Sequence, residues 1–163
     1  MKKIIFVRHG KAEEETPGMT DFERSLTSNG KKVSKQMAQI FQKKEGSPGL
    51  IITSPAFRAL ETALIFAGET GVAYDKVIMN SKLYYGTNLE KLLKILQELS
   101  EDVSTITLFG HNPSFTDMPN LLSRTGCDPV PKTAVVCLSF DADSWKDIGK
   151  KSGKMVYFLK PEK

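Results

Sequence analysis

The chain has 163 residues, 40% apolar and 26% charged, a composition that fits a single globular domain over 1–163, and no apolar run approaches the ~20 residues of a membrane-spanning helix. The net charge of +4 is confined to residues 144–163, which hold six lysines and two acids; this reads as a lysine-guarded edge strand, not the basic stripe of a nucleic-acid binder. Arg8 interrupts the apolar start too early for a signal peptide, and two cysteines make no disulfide framework, so a reducing cytoplasm is the expected setting.

Ile4 to Val7 is a short apolar run stopped by Arg8-His9-Gly10 and reads as a buried strand. Lys11 to Ser25 is polar and acidic, contains Pro17 and Gly18, and reads as a long loop. Thr27 is placed to cap a helix reaching about Lys44, with Val33, Met37, Ile40 and Phe41 on its apolar face. After the turn Gly46-Ser47-Pro48-Gly49, Leu50 to Thr53 is a second strand. Ser54 is the expected cap of the next helix and Pro55 its first residue, with Phe57, Leu60, Leu64 and Ala67 as the stripe. Val77 to Met79 is a short strand. Thr87-Asn88-Leu89-Glu90 has the form of a capping box and opens a helix with Leu89, Leu92, Leu93, Leu96 and Leu99 facing inward. Ser104 to Phe109 is a further strand. Asn112 then repeats the role of Ser54 ahead of Pro113, and Pro119 shortens or kinks the helix that follows. Ala134 to Phe140 and Lys154 to Leu159 close the chain with little helix between them. The expected fold is a three-layer α/β/α sandwich around a mostly parallel, mixed sheet with an antiparallel edge.

The two histidines, His9 and His111, each follow an apolar strand almost directly, and ligands in open α/β sheets bind beyond strand carboxyl ends. Arg8 adjoins His9, and Arg58 falls in the first turn of the helix after Thr53. Taken singly, each is more often a structural or solvated residue. Together they place two guanidiniums and two imidazoles at strand–helix switch points. Guanidinium forks suit phosphate oxygens, and helix starts at Pro55 and Pro113 add positive dipole ends. Gly10 lets the backbone after His9 approach an anion closely. The pattern predicts a dianion pocket with an imidazole in it. The close-spaced ligands of a zinc site, a G-x-S-x-G elbow and a P-loop are all missing from the sequence, so neither a metal nor a nucleotide is expected.

Four motifs carry a family resemblance. Arg8-His9-Gly10 resembles the signature of the histidine phosphatase superfamily, whose fold is phosphoglycerate-mutase-like. Ser54-Pro55-Ala56-Phe57-Arg58-Ala59 with Glu61-Thr62-Ala63 is similar to its S-P-x-x-R-A-x-x-T-A motif, and Gly110-His111-Asn112-Pro113 to its G-H-N-P motif. Asp21-Phe22-Glu23-Arg24-Ser25-Leu26-Thr27, followed by Gly30, resembles the D-x-x-R-P-L-T-x-x-G stretch of the short bacterial branch that contains SixA-type phosphohistidine phosphatases. The resemblance implies that His9 is the nucleophile and that Arg8, Arg58 and His111, with Gly10 and Asn112 beside them, hold the phosphoryl oxygens. It also implies a metal-free reaction without a cofactor, releasing inorganic phosphate.

Mutase-like members carry a glutamate acid in mid-chain, where this sequence has Ser81-Lys82-Leu83-Tyr84-Tyr85-Gly86 and no carboxylate. Glu13, Glu14 and Glu15 in the first loop are the remaining candidate acids. A phosphate ester needs an acid for its alkoxide leaving group, whereas phosphohistidine leaves as neutral imidazole once solvent protonates its ring. The expected substrate is therefore phosphohistidine on a protein, for example a histidine-phosphotransfer domain. A phosphatase for a small phosphomonoester and a non-catalytic phosphate-binding module are the alternatives.

Overall fold

The computed structural model describes residues 1–162. Its strands are β1 (Lys2–Arg8), β2 (Leu50–Thr53), β3 (Ile78–Met79), β4 (Thr105–Gly110), β5 (Val135–Phe140) and β6 (Gly153–Leu159). Its α-helices are α1 (Ser28–Glu45), α2 (Phe57–Thr70), α3 (Leu89–Gln97) and α4 (Ser114–Leu122). The strands form one sheet in the order β3-β2-β4-β1-β5-β6. The first four of that order are mutually parallel, and β5 and β6 add as antiparallel neighbours. The expected mixed α/β sheet is thus observed, and lysine-bearing β6 is an edge.

Both faces of β1 are apolar, and this is what makes the molecule three-layered. Ile4 and Phe6 point into a core shared with α3 and α4, where Phe115 meets Phe6 edge-on at 5.5 Å. Ile5 and Val7 point to the other face, onto Met37 and Phe41 of α1 and Ala63 and Phe66 of α2. Side chains alternate along a strand, so a strand covered on both faces reads as an unbroken apolar run. Each large side chain buried this way contributes about 1.5–3 kcal/mol.

Helix starts differ from the expected ones in informative ways. Thr27 caps α1 as anticipated, its hydroxyl accepting from the Gly30 N–H. The cap of α3 is Asn88, one residue after Thr87, whose hydroxyl instead donates to the Lys82 carbonyl. Ser54 and Pro55 lie outside α2, which starts at Phe57 with Ala56 at its cap. The inward face of α2 is Ala59, Thr62, Ala63, Phe66 and Ala67, while Phe57 is 40% exposed. Small residues let this helix lie close to the sheet, so the buried face is not the expected Phe57-Leu60-Leu64 stripe. In α1, similarly, Ile40 of the expected face is exposed. Pro113, after a cis Asn112–Pro113 bond, caps α4, and Pro119 sits inside that helix, which ends three residues later.

Strand register sets up the site. Arg8 pairs with Gly110 across β1 and β4, and Thr53 pairs with Phe109 across β2 and β4. The next residues, His9, Ser54 and His111, therefore emerge side by side at one rim of the sheet.

Candidate active site

The backbone ladder continues one step past the strands: the His9 N–H donates to the Gly110 carbonyl at 3.0 Å, and the Ser54 N–H to the Phe109 carbonyl at 2.9 Å. These bonds fix the chain directions from which His9 and His111 project. Their rings lie 5.1 Å apart at 53°. Both histidines are buried, 8% exposed each, so the sheet brings together two imidazoles that the sequence separates widely.

His9 is held in one tautomer. Its Nδ1 lies 2.7 Å from the Gly10 carbonyl oxygen, which can only accept, so Nδ1 carries the proton and Nε2 keeps a lone pair. Burial, with the nearby charges of Arg58, Arg8 and Lys132, pushes its pKa down to about 4 despite that hydrogen bond. The ring is therefore neutral at physiological pH with a free Nε2. That is the state a nitrogen nucleophile requires.

His111 reaches Ser54, with Nε2 2.8 Å from Oγ. Ser54 Oγ also accepts from the Ala56 N–H at 3.3 Å, just ahead of α2. Burial, then the proximity of His9, Arg58 and Arg8, lowers the His111 pKa to about 3, with Asp21 opposing. When the Ser54 hydroxyl donates to Nε2, the ring proton sits on Nδ1.

Arg8 donates from one terminal nitrogen to the Val130 carbonyl at 3.1 Å, and burial lowers its pKa. The same carbonyl accepts from the Asn112 amide at 3.1 Å, and Asn112 Oδ1 accepts from the Thr116 hydroxyl. Asn112 thus lines the cleft with a side chain tied to the loop before β5. Arg58, 7% exposed at the start of α2, is gripped by Asp21 through its carbonyl and carboxylate. Arg8 Nε, Arg58 Nε and His111 Nδ1 are buried without a hydrogen-bond partner among the described residues. Leaving a buried polar group unpaired costs about 1–3 kcal/mol, and these three fall in one constellation.

Gly10 serves another purpose than the one expected. Its N–H donates to Thr62 Oγ1 at 3.1 Å and so is not offered to an anion. A Cβ there would lie 2.7 Å from Ser34 Oγ and 3.2 Å from the Gly30 carbonyl, so Gly10 is small because α1 packs on it. Glu13, Glu14 and Glu15 are exposed, and their carboxylates make no hydrogen bond to the histidine pair among the described residues.

A cleft of about 590 Å³ opens beside His111, lined by Asp21, Arg58, Tyr84, His111, Asn112 and Asp117 among others, with His9 behind His111 and outside the lining. Sequence reasoning passes over Asp21, Tyr84 and Asp117 as site residues. Asp21 is visible there only as the first letter of a motif, Asp117 only as an acid in the first turn of α4. The Tyr84 hydroxyl donates to Asp21 Oδ2 at 2.8 Å, and its ring stands edge-on to His111 at 5.5 Å. Burial opposes ionisation of Asp21, but hydrogen bonds from Arg24, Tyr84 and Arg58 outweigh it and hold the carboxyl at about 2. Burial raises the Cys127 and Cys137 thiols to about 11 and about 12, which makes both poor nucleophiles.

Residues 4–83 match the family model of the histidine phosphatase superfamily, branch 1. The matched stretch is just under half of the chain and takes in Arg8, His9 and Arg58; with the fold, it supports a phosphatase. The fold is similar to that of the protein histidine phosphatase SixA complexed with tungstate: TM-score 0.83, 20% identity, 98% of this chain and 97% of that one covered. It is also similar to a mycobacterial glucosyl-3-phosphoglycerate phosphatase in complex with VO3, at TM-score 0.65 and 13% identity, covering 96% and 98% of the two chains. An uncharacterised chloroplastic protein of Arabidopsis thaliana is 24% identical over 159 residues, 93% of this chain and 72% of its own length. No described helix is long and apolar enough to cross a membrane.

Proposed function

We propose that the chain is a phosphohistidine phosphatase that forms a covalent phosphoryl-His9 intermediate. The observation that carries this is the single tautomer of His9, with Nδ1–H on Gly10 and a free Nε2 beside His111. The Nε2 lone pair attacks phosphorus while the P–N bond of the substrate breaks and its imidazole leaves, taking a proton from solvent. Arg8, Arg58 and His111 hold the phosphoryl oxygens throughout, since catalysis of this transfer is mostly positioning and charge stabilisation. Water then attacks phosphorus of phospho-His9, and inorganic phosphate departs. No step calls for a metal or cofactor.

The acids in the cleft support a P–N substrate. Asp21 is ionised and engaged with Arg58, Arg24 and Tyr84, and Tyr84 has its pKa raised by burial and by Asp21. Neither suits protonation of an alkoxide. Oxyanion complexes such as that with tungstate are in keeping with the pocket, and the name of the mycobacterial structure favours the second reading, a small phosphomonoester. For that reading Asp117, exposed in the cleft, is the carboxylate to substitute first. The depressed pKa and free Nε2 of His9 count against a non-catalytic binding module. A phosphorylated protein in a reducing cytoplasm suits the open cleft and the two unpaired cysteines.

The test is kcat/KM for a phosphohistidine protein against alkyl phosphate monoesters, with an aryl phosphate as good-leaving-group control. Phosphohistidine and aryl substrates are expected to exceed alkyl ones by about 10²–10⁴, the worth of a positioned acid. Alkyl hydrolysis as fast as the others would overturn the substrate assignment. Acid quench during turnover is expected to trap an acid-labile, alkali-stable phosphoenzyme that His9→Ala abolishes together with activity.

A further inference from the structure

The geometry points to Asp21 as the positioning residue of the phosphate grip: it holds one edge of the Arg58 guanidinium and thereby turns the other edge to the phosphoryl oxygens. This rests on the reading of the pocket as a phosphoryl site. Arg58 has five N–H donors in a planar fork. One terminal nitrogen donates to the Asp21 carbonyl at 2.8 Å and the other to Asp21 Oδ2 at 3.1 Å. The edge between the two terminal nitrogens is therefore taken. The edge carrying Nε–H is left, and Nε is buried without a partner among the described residues. An anion bound by Arg58 meets Nε and the second hydrogen of one terminal nitrogen.

Asp21 is itself anchored on both sides. The Tyr84 hydroxyl donates to Oδ2 at 2.8 Å, and Arg24 donates to Oδ1 at 3.0 Å while its Nε donates to the Glu13 carbonyl at 2.7 Å. Phe22 packs edge-on to Tyr84 at 5.3 Å, and Tyr84 in turn stands against His111. The first loop thus reaches across the cleft and sets one of the two arginines. A carboxylate beside a phosphate dianion repels it, so Asp21 helps by orienting Arg58 and hinders by its charge. These two effects separate experimentally. Asp21→Asn keeps an acceptor oxygen and removes the charge; Asp21→Ala removes both.

The measurement is binding of inorganic phosphate by titration calorimetry to the wild-type chain, Asp21→Asn, Asp21→Ala and Tyr84→Phe. Asp21→Ala is expected to bind phosphate about tenfold more weakly, the loss of one charge-assisted hydrogen bond. Asp21→Asn is expected to bind as well as the wild type or better, and Tyr84→Phe to fall between. Steady-state kinetics of Asp21→Ala should show a raised KM with a smaller change in kcat. Melting temperatures separate this from a fold defect, because a purely structural role would lower phosphate affinity only in step with stability. Equal phosphate affinity in wild type and Asp21→Ala, or Asn as damaging as Ala, would overturn the proposal. If Asp21→Ala does not fold, Tyr84→Phe decides: weaker phosphate binding supports the proposal and unchanged affinity overturns it. Phosphate binding needs no turnover, so a chain inactive on phosphohistidine protein leaves this test intact.

Discussion

His9 and His111 are neutral because burial and two arginines disfavour a third and fourth positive charge in the same pocket. The consequence appears in the pH profile. The acid limb of kcat/KM, which reports the free enzyme, is expected to fall near pH 4 rather than near the ordinary histidine value of ~6.5. A limb centred near 6.5 would show that the imidazoles are more solvated than their burial implies. Ser54 gives a second residue-scale expectation. Its hydroxyl contacts His111 Nε2 at 2.8 Å and, where it donates, leaves the ring proton on Nδ1. Ser54→Ala should therefore reduce kcat/KM by about tenfold, corresponding to roughly 1.4 kcal/mol. The melting temperature should change little, and an unaltered kcat/KM would refute the tautomer role.

Among the elements, the first loop and the start of α1 form an exacting junction. A Cβ on Gly30 would lie 2.1 Å from the Lys11 carbonyl oxygen, so α1 approaches the loop more closely than any side chain allows. Leu26 donates its N–H to Glu61 Oε1 at 2.8 Å, tying the same loop to α2. Gly30→Ala should push loop and helix apart, lower stability by about 1–3 kcal/mol as overpacking does, and raise KM through the displaced Asp21. Thermal melts and phosphate titration of the variant check both parts. Strands and helices are legible in the sequence because β1, β2 and β4 are apolar runs ended by chemistry-bearing residues. Arg8, His9, Arg58 and His111 stand out for the same reason. Caps are misplaced by local reading where a side chain has a tertiary partner, as Ser54 has His111 and Asn112 has Val130. Asp21 and Tyr84 lie 63 positions apart. No periodicity announces such a pairing, because it depends on how two loops cross above the sheet.

At the scale of the whole molecule, the buried histidines tie folding to pH. Their folded pKa values, about 4 and about 3, lie below the unfolded ~6.5, so between those limits the unfolded chain binds more protons. Stability is then full above pH 6.5 and declines as pH falls toward 4, by roughly 3 kcal/mol for His9 alone. Melting curves from pH 7 to 4 should show this fall, and His111→Asn should flatten it; an equal slope in that variant would exclude the linkage.

The site has two kinds of support. His9, Ser54 and His111 stand at the ends of strands hydrogen-bonded to one another, whereas Asp21, Tyr84 and their neighbours hang from loops. Reaction and selectivity are consequently separable for an engineer. A library confined to positions 13–24 and 84–87, holding Asp21 and Tyr84 constant, would explore new leaving groups while the sheet preserves turnover.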